Sequence, residues 1–94
     1  MTPRRIYRIE HASLFEKNFE RLPKFIQELA ANKDRIFRQN AFHPSLETHK
    51  LGGKLKNDWA YSVNKDYRIH FYFVNDNVVV YLNIGTHEIY KKSK

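Results

Sequence analysis

A single arginine, Arg68, stands among strand-forming residues in the segment DYRIHFYF. The alternation of a strand directs its side chain away from the face that carries Ile69 and Phe71. A guanidinium on a sheet surface presents a rigid fork of donors that suits phosphate oxygens. An ion pair with Asp66 or Glu47 would account for the same residue without a ligand. Arg68 is therefore a candidate phosphate-binding residue with a structural alternative.

Lysines are concentrated just before this segment. Lys50, Lys54 and Lys56 surround Gly52 and Gly53, where a ligand can approach the backbone closely. These lysines could follow a chain of phosphates, although a hydrated connection between two elements has the same composition. The string GGKLK lacks the glycine spacing of a P-loop and the Ser or Thr after its lysine, which argues against a nucleoside triphosphate site.

Histidines are the residues best able to transfer protons near neutral pH. The chain has five of them, at His11, His43, His49, His70 and His87. Their separations match no HExxH or His-x-His arrangement, and there is no cysteine to assist them. None of the serines stands in a nucleophile elbow. The sequence therefore predicts neither a metal nor another cofactor.

The charge and length of the chain limit the classes of function. Its 94 residues carry 17 Lys and Arg against 10 Asp and Glu, which gives a net charge of +7 spread over both halves. That excess makes an anionic partner the first hypothesis, while a basic protein that is merely soluble is the alternative. The length predicts a single domain over residues 1–94.

The sequence also carries expectations about its compartment. The absence of cysteine fits a reducing cytoplasm. No apolar run approaches the roughly 20 residues of a membrane span, and the segment MTPRRIYRIEHAS lacks the apolar core of a signal peptide. We therefore expect a cytoplasmic protein with no membrane partner.

Two helices are predicted after a short first strand over residues 4–10. Ser13 would serve as the N-cap of the first helix, with Glu16 completing a capping box, and the phenylalanines that follow recur at helical spacing. Pro23 suits the first turn of a second helix, which the segment NAFHP would end.

From Trp59 the apolar period changes to two, the period of a strand. Three antiparallel strands are predicted, separated by NK at 64–65 and NDN at 75–77. Their apolar series are Trp59, Tyr61 and Val63, then Ile69, Phe71 and Phe73, then Val78, Val80, Leu82 and Ile84. This face is predicted to pack on the helices, which leaves on or near the other face Arg68, His70, Tyr72, Tyr81 and Asn83.

These elements together predict an α+β fold. Two N-terminal helices pack on one face of a four-stranded, mainly antiparallel sheet, with the first strand beside the later meander. After the last strand, the segment IGTHEIY contains His87 and Tyr90, either of which is also compatible with an ordinary surface position.

Over nearly its whole length the chain resembles the RelE/ParE superfamily of type II toxin–antitoxin toxins. The resemblance is carried by three patterns: L-x-T-H-K-L-x-G-K-L, the strand segment D-Y-R-I-x-F, and the terminal G-x-H-x-x-Y. They are most similar to the RelE branch with YafQ-like features. The resemblance implies a RelE-like fold and a toxin that cuts mRNA, in most members on the translating ribosome. It also implies neutralisation by a cognate acidic antitoxin, and the free toxin is expected to be a monomer.

The resemblance assigns functional positions in this sequence. It implies a catalytic set of His49, Asp66, Arg68, His87 and Tyr90, and an RNA-binding set of Lys50, Lys54, Lys56 and Lys91. His49 and His87 would share the acid and base roles, with Asp66 orienting one of them and Arg68 on the phosphate. The YafQ-like pattern has a histidine where this chain has Ser62, so the set is not reproduced in full.

Two alternatives share the same scaffold. A ParE-like toxin would inhibit DNA gyrase by protein contact and would not need the acid–base residues. A catalytically inactive relative would bind RNA without cutting it. Retention of His49, Arg68, His87 and Tyr90 favours the ribonuclease over both.

Overall fold

The computed structural model describes residues 2–91, and for residues 90 and 91 it describes the backbone alone. Helix α1 spans Ser13–Glu20 and helix α2 spans Lys24–Gln39. The capping box predicted at the start of α1 is wrong, because Ala12 is the N-cap and no side chain caps the helix. Pro23 lies one residue before α2 as its N-cap, and its carbonyl accepts from the N–H groups of Ile26 and Gln27.

The sheet has five strands: β1 Arg8–His11, β2 His49–Lys50, β3 Trp59–Ser62, β4 Arg68–Asn75 and β5 Val78–Gly85. Their order across the sheet is β1-β5-β4-β3-β2. β1 pairs with β5 in parallel, and the other neighbours are antiparallel. A short helix α3, Glu88–Lys91, follows the last strand, and 3₁₀ turns occur at Pro44–Leu46 and Gly53–Leu55. Among the described residues, no helix has the length and apolar composition that a membrane span requires.

The α+β architecture and the position of the first strand beside the meander are confirmed. The four-stranded count is wrong, because His49 and Lys50 form a fifth strand on the edge of β3. Two residues are too few to produce a recognisable alternation, so the sequence indicated only a lysine-rich connection there. The first strand is also shorter than the predicted range, beginning at Arg8.

The core lies between the helices and one face of the sheet. Phe37 of α2 is fully buried, and its ring centroid lies 4.7 Å from Tyr61 of β3 and 5.0 Å from Phe71 of β4. Tyr81 of β5 completes this aromatic cluster at 5.9 Å from Phe37. The helices therefore cover the face that carries the odd-numbered residues of β3 and the start of β4, as predicted.

The predicted phase of β5 is wrong for Val78, Val80 and Leu82, whereas Ile84 lies in the core as predicted. Val79 and Tyr81 are buried toward the helices, whereas Val80 is only partly buried. Asn83 is buried as well, and its side-chain oxygen accepts from Asn18 of α1 at 2.7 Å. A β-bulge opposite His70 and Phe71 shifts the register within the strand. Nearly every residue of β5 is apolar, so alternation alone did not identify its core face.

A hydrogen-bonded chain secures the two tyrosines of the core. The hydroxyl of Tyr61 donates to that of Tyr81 at 2.8 Å, and Tyr81 donates to Asp34 Oδ1 at 2.7 Å. Asp34 Oδ2 accepts from Arg38 Nε at 2.8 Å. Burial raises the pKa of both tyrosine hydroxyls, and the hydrogen bond to Asp34 raises the pKa of Arg38. The polar tips are thus paired where the sheet meets α2.

Candidate functional site

Strand pairing brings several of the sequence-predicted residues onto the sheet face that α1 and α2 do not cover. His49 of β2 pairs with Ala60, which pairs in turn with His70. Ser62 pairs with Arg68 in the neighbouring row. Paired residues share a face, and these alternate with the core residues of β3 and β4. We call the set His49, Ala60, Ser62, Arg68 and His70 the site face.

The spacing of the sheet sets the scale of this surface. Adjacent strands lie about 4.8 Å apart, so His49 and His70 are separated by roughly 10 Å between backbones. Ser62 and Arg68 lie about 7 Å further along the strands than Ala60 and His70. The backbones of His49 and Arg68 are therefore roughly 12 Å apart on the same face of the sheet.

His49 is exposed, and its ring orientation is set by the backbone before it. Its Nδ1 lies 2.9 Å from the carbonyl oxygen of Glu47. A carbonyl can only accept, so Nδ1 carries the proton and Nε2 of the neutral ring has a free lone pair. Glu47 adopts a left-handed conformation with φ of 51°, and its side chain accepts from Ser62 Oγ at 3.2 Å. His49 is thus presented as a proton acceptor.

Arg68 is held by the turn between β3 and β4. Its Nη1 donates to the carbonyl oxygens of Asn64 at 2.6 Å and Lys65 at 3.1 Å. Within residues 2–91 it makes no ion pair with Asp66 or Glu47, which was the structural alternative. Carbonyl acceptors orient a guanidinium without neutralising it, so Arg68 keeps its charge for an anion.

Asp66 lies in the same turn as these carbonyl groups. Its N–H donates to Asn64 Oδ1 at 2.9 Å, and its side chain is exposed. The same Asn64 oxygen accepts from the N–H of Tyr67 at 2.8 Å. Asn64 therefore fixes the turn that holds both Asp66 and Arg68.

His87 follows the end of β5, near Arg68. Gly85 is the last residue of β5 and pairs with Arg68. A Cβ at Gly85 would lie 2.7 Å from Ile89 Cγ2 of α3, so glycine is needed for α3 to pack there. His87 lies exposed in the turn between β5 and α3. The predicted roles of Tyr90 and Lys91 concern side chains outside the described part of the chain.

The predicted RNA-binding lysines divide between two locations. Lys50 pairs with Trp59, so it lies on the opposite side of β2 from His49, and its Nζ is 6.0 Å from the Trp59 ring centroid. Lys54 and Lys56 are exposed in the loop over residues 51–58, which joins β2 to β3. Lys54 and Lys56 therefore lie in the loop beside the site face, whereas Lys50 does not.

Sequence reasoning missed a partly buried hydrogen bond between side chains at this site. His70 Nε2 lies 3.0 Å from Asp58 Oδ2, and the His70 side chain is only 5% exposed. The two partners are twelve positions apart in the sequence, a separation that matches no motif. The one available signal was the alternation that placed His70 on the same face as Arg68.

No group of three or more His, Cys, Asp or Glu side chains in the described range is arranged to hold a metal ion. A cavity of about 430 Å³ lies on the other side of the sheet, between α1 and α2. Phe15, Phe19 and Tyr81 contribute to its walls, together with Asp34 and Arg38. The cavity and the site face are therefore separate surfaces.

Solved structures similar to this chain were found, whereas no family model and no curated protein sequence matched it. A chain of the toxin–antitoxin complex RelBE2 from Mycobacterium tuberculosis superposes with a TM-score of 0.76 at 12% identity, covering 93% of this chain and 98% of that one. A chain of the archaeal RelE–RelB complex from Pyrococcus horikoshii superposes with a TM-score of 0.67 at 22% identity, and the match covers 92% of this chain and 96% of that one. YafQ from Escherichia coli superposes with a TM-score of 0.68 at 17% identity, and the match covers 87% of this chain and 94% of that one.

These likenesses define the class of fold. The chain has the fold of the RelE/ParE toxins, as the sequence resemblance implied. Both RelE and YafQ proteins are among the matched structures, so the fold alone does not select one branch of that class.

Proposed function

We propose that this chain is the toxin of a type II toxin–antitoxin system and an endoribonuclease that cuts mRNA on the ribosome without a metal. One observation carries the proposal: His49 and Arg68 lie on one face of a RelE-like sheet, with the first oriented as a proton acceptor and the second free to bind an anion. The net charge of +7 supports a polyanionic substrate.

The proposed reaction uses the 2′-hydroxyl of RNA as its nucleophile. His49 Nε2 takes the hydroxyl proton as the 2′-oxygen forms a bond to the adjacent phosphorus. Arg68 stabilises the charge that develops on the phosphoryl oxygens. As the bond from phosphorus to the 5′-oxygen breaks, His87 donates a proton to that leaving oxygen. The products are a 2′,3′-cyclic phosphate and a 5′-hydroxyl.

The remaining predicted residues complete the proposal. Asp66 is proposed to orient an imidazole during the reaction, and Tyr90 to complete the catalytic set. Lys50, Lys54, Lys56 and Lys91 are proposed to bind phosphates along the RNA. These roles are supported by the resemblance of the sequence to the RelE/ParE toxins. The RNA-binding role is also supported by the exposure of Lys50, Lys54 and Lys56.

A cognate antitoxin is the second proposed partner. Several of the matched structures are toxin–antitoxin complexes, among them DinJ–YafQ, RelBE2 and archaeal RelE–RelB. A basic toxin favours an acidic antitoxin segment that covers or distorts the site. Co-expression with the neighbouring reading frame should yield a complex, and recovery of free toxin alone would contradict this part of the proposal.

Primer extension on mRNA after induction tests the activity, combined with analysis of the product ends. Wild-type toxin should generate cuts that end in a 2′,3′-cyclic phosphate, and Arg68→Ala should abolish most of them. Arg5→Ala is the matched control, because Arg5 is exposed near the opposite edge of the sheet. Products with 3′-hydroxyl ends would contradict the mechanism. Inhibited DNA supercoiling without RNA cleavage would replace it with the gyrase-directed alternative.

A further inference from the structure

The loop over residues 51–58 contains two exposed lysines but has few attachments to the rest of the protein. The edge strand β2 that precedes it has only two residues. At the base of the loop, the N–H of Leu51 donates to the Asp58 carbonyl at 2.9 Å. Within the loop, the N–H of Asp58 donates to the Leu55 carbonyl at 2.8 Å. These bonds close the loop but do not fix its position on the sheet.

The side chain of Asp58 makes a further attachment. Its Oδ2 lies 3.0 Å from Nε2 of His70, a residue of the central strand β4 on the site face. The Asp58 side chain is 23% exposed and that of His70 is 5% exposed. A hydrogen bond to a carboxylate in such partial burial is stronger than one between neutral groups at the surface. It is formed whether the imidazole is neutral with a proton on Nε2 or fully protonated.

His70 lies too deep to be a direct ligand for a large substrate. Its partner on β3, Ala60, is 0% exposed. Asp58, by contrast, lies at the end of the loop that contains Lys54 and Lys56. The pair therefore connects the buried floor of the site face to the loop with the exposed lysines at its edge.

We propose that the Asp58–His70 pair fixes the lysine loop over the site face, and that His70 is a positioning residue for RNA binding. This inference rests on the proposed function, because it assigns Lys54 and Lys56 to the substrate. A loop held in place presents its lysines without an ordering cost when RNA binds. Loss of the pair should weaken substrate binding and leave the chemical step intact.

The test compares the unmodified chain with four variants. Asp58→Ala removes the carboxylate, and Asp76→Ala is the matched control, since Asp76 is 87% exposed in a different turn. His70→Ala removes the imidazole, whereas His70→Gln retains an N–H donor near the position of Nε2. Hydrogen exchange at the amides of Leu51 and residue 58 reports on the loop, and exchange along β4 reports on the sheet.

Asp58→Ala should speed exchange at the loop amides by about 10- to 100-fold, with β4 unchanged. In cleavage of ribosome-bound mRNA, KM should rise about tenfold and kcat should stay within about twofold. His70→Gln and Asp76→Ala should resemble wild type in both measurements. His70→Ala should resemble Asp58→Ala at the loop amides.

Three results would overturn the inference. Loop exchange that is unchanged in Asp58→Ala would show that the pair does not fix the loop. Faster exchange along β4 to the same extent would assign the pair a purely structural role. Faster loop exchange with an unchanged KM would show that the position of the loop does not affect substrate binding. If wild-type toxin cut no RNA, the proposed function would fail, while loop exchange would still decide whether the pair fixes the loop.

Discussion

The two faces of the central sheet are built from the same strands but differ in how their polar groups are paired. Toward the helices, β3 and β4 contribute Tyr61 and Phe71, and the polar tip of Tyr61 joins a chain that ends at Arg38. On the site face the same strands contribute Ser62 and Arg68. Arg68 is bound only by backbone carbonyl groups within the described residues.

This contrast separates stability from the proposed activity. On the helix side, the internal partners of the buried groups are fixed, so removing a group there leaves a cavity or an unpaired polar atom. On the site face, Nε2 of His49 and the charge of Arg68 remain available to an external substrate. Substitutions on the two faces should therefore produce opposite results in activity and stability assays.

The largest expected effect is on catalysis. His49→Ala should lower the rate of mRNA cleavage by about 10²- to 10⁴-fold, because it removes the proposed proton acceptor. The free energy of unfolding should remain that of wild type, since His49 is exposed and its ring, within residues 2–91, is hydrogen-bonded only to the Glu47 carbonyl. His43→Ala is the control, because His43 is also exposed but belongs to the loop before β2. A stable variant that cuts at the wild-type rate would remove His49 from the site.

The architecture could be predicted from sequence because its signals are local and repeated. Helical periodicity placed the helices to within a residue or two, and alternation placed β3 and β4. Alternation failed in β5, where a bulge and an apolar residue at almost every position concealed the face of Tyr81. It also missed β2, which is too short to show a period.

The candidate site was accessible to sequence reasoning only in part. Arg68 stood out because a charged residue interrupts an apolar strand. The grouping of Arg68 with His49 depends on pairing across three strands, which a local pattern does not contain. The contact between Asp58 and His70 joins a loop to a strand over twelve residues, so only the folded chain reveals it.

The second-largest expected effect is a loss of stability, and it tests the core between the helices and the sheet. Phe37→Ala should lower the free energy of unfolding by about 3–5 kcal/mol, because it removes a fully buried ring packed against Tyr61 and Phe71. Phe25→Ala, on the same helix but 67% exposed, should cost less than about 0.5 kcal/mol. Urea unfolding measures both values. Equal losses in the two variants would contradict the assignment of the core.

The smallest effect concerns the buried hydroxyl chain. Tyr81→Phe retains the ring but leaves the Tyr61 hydroxyl without its acceptor and Asp34 Oδ1 without its donor. The free energy of unfolding at neutral pH should fall by about 1–3 kcal/mol. RNA cleavage by the folded variant should be unchanged, because Tyr81 lies on the helix side.

The same variant should change the response of stability to alkaline pH. Burial raises the pKa of Tyr61 and Tyr81 in the folded state, so above about pH 10 the unfolded chain releases protons that the folded chain retains. Stability therefore falls as pH rises, by up to about 1.4 kcal/mol per pH unit for each tyrosine. Tyr81→Phe removes one of these groups, and its stability should decline less steeply between pH 10 and 11. Parallel curves from urea unfolding would show that Tyr81 is not protected from ionisation by the fold.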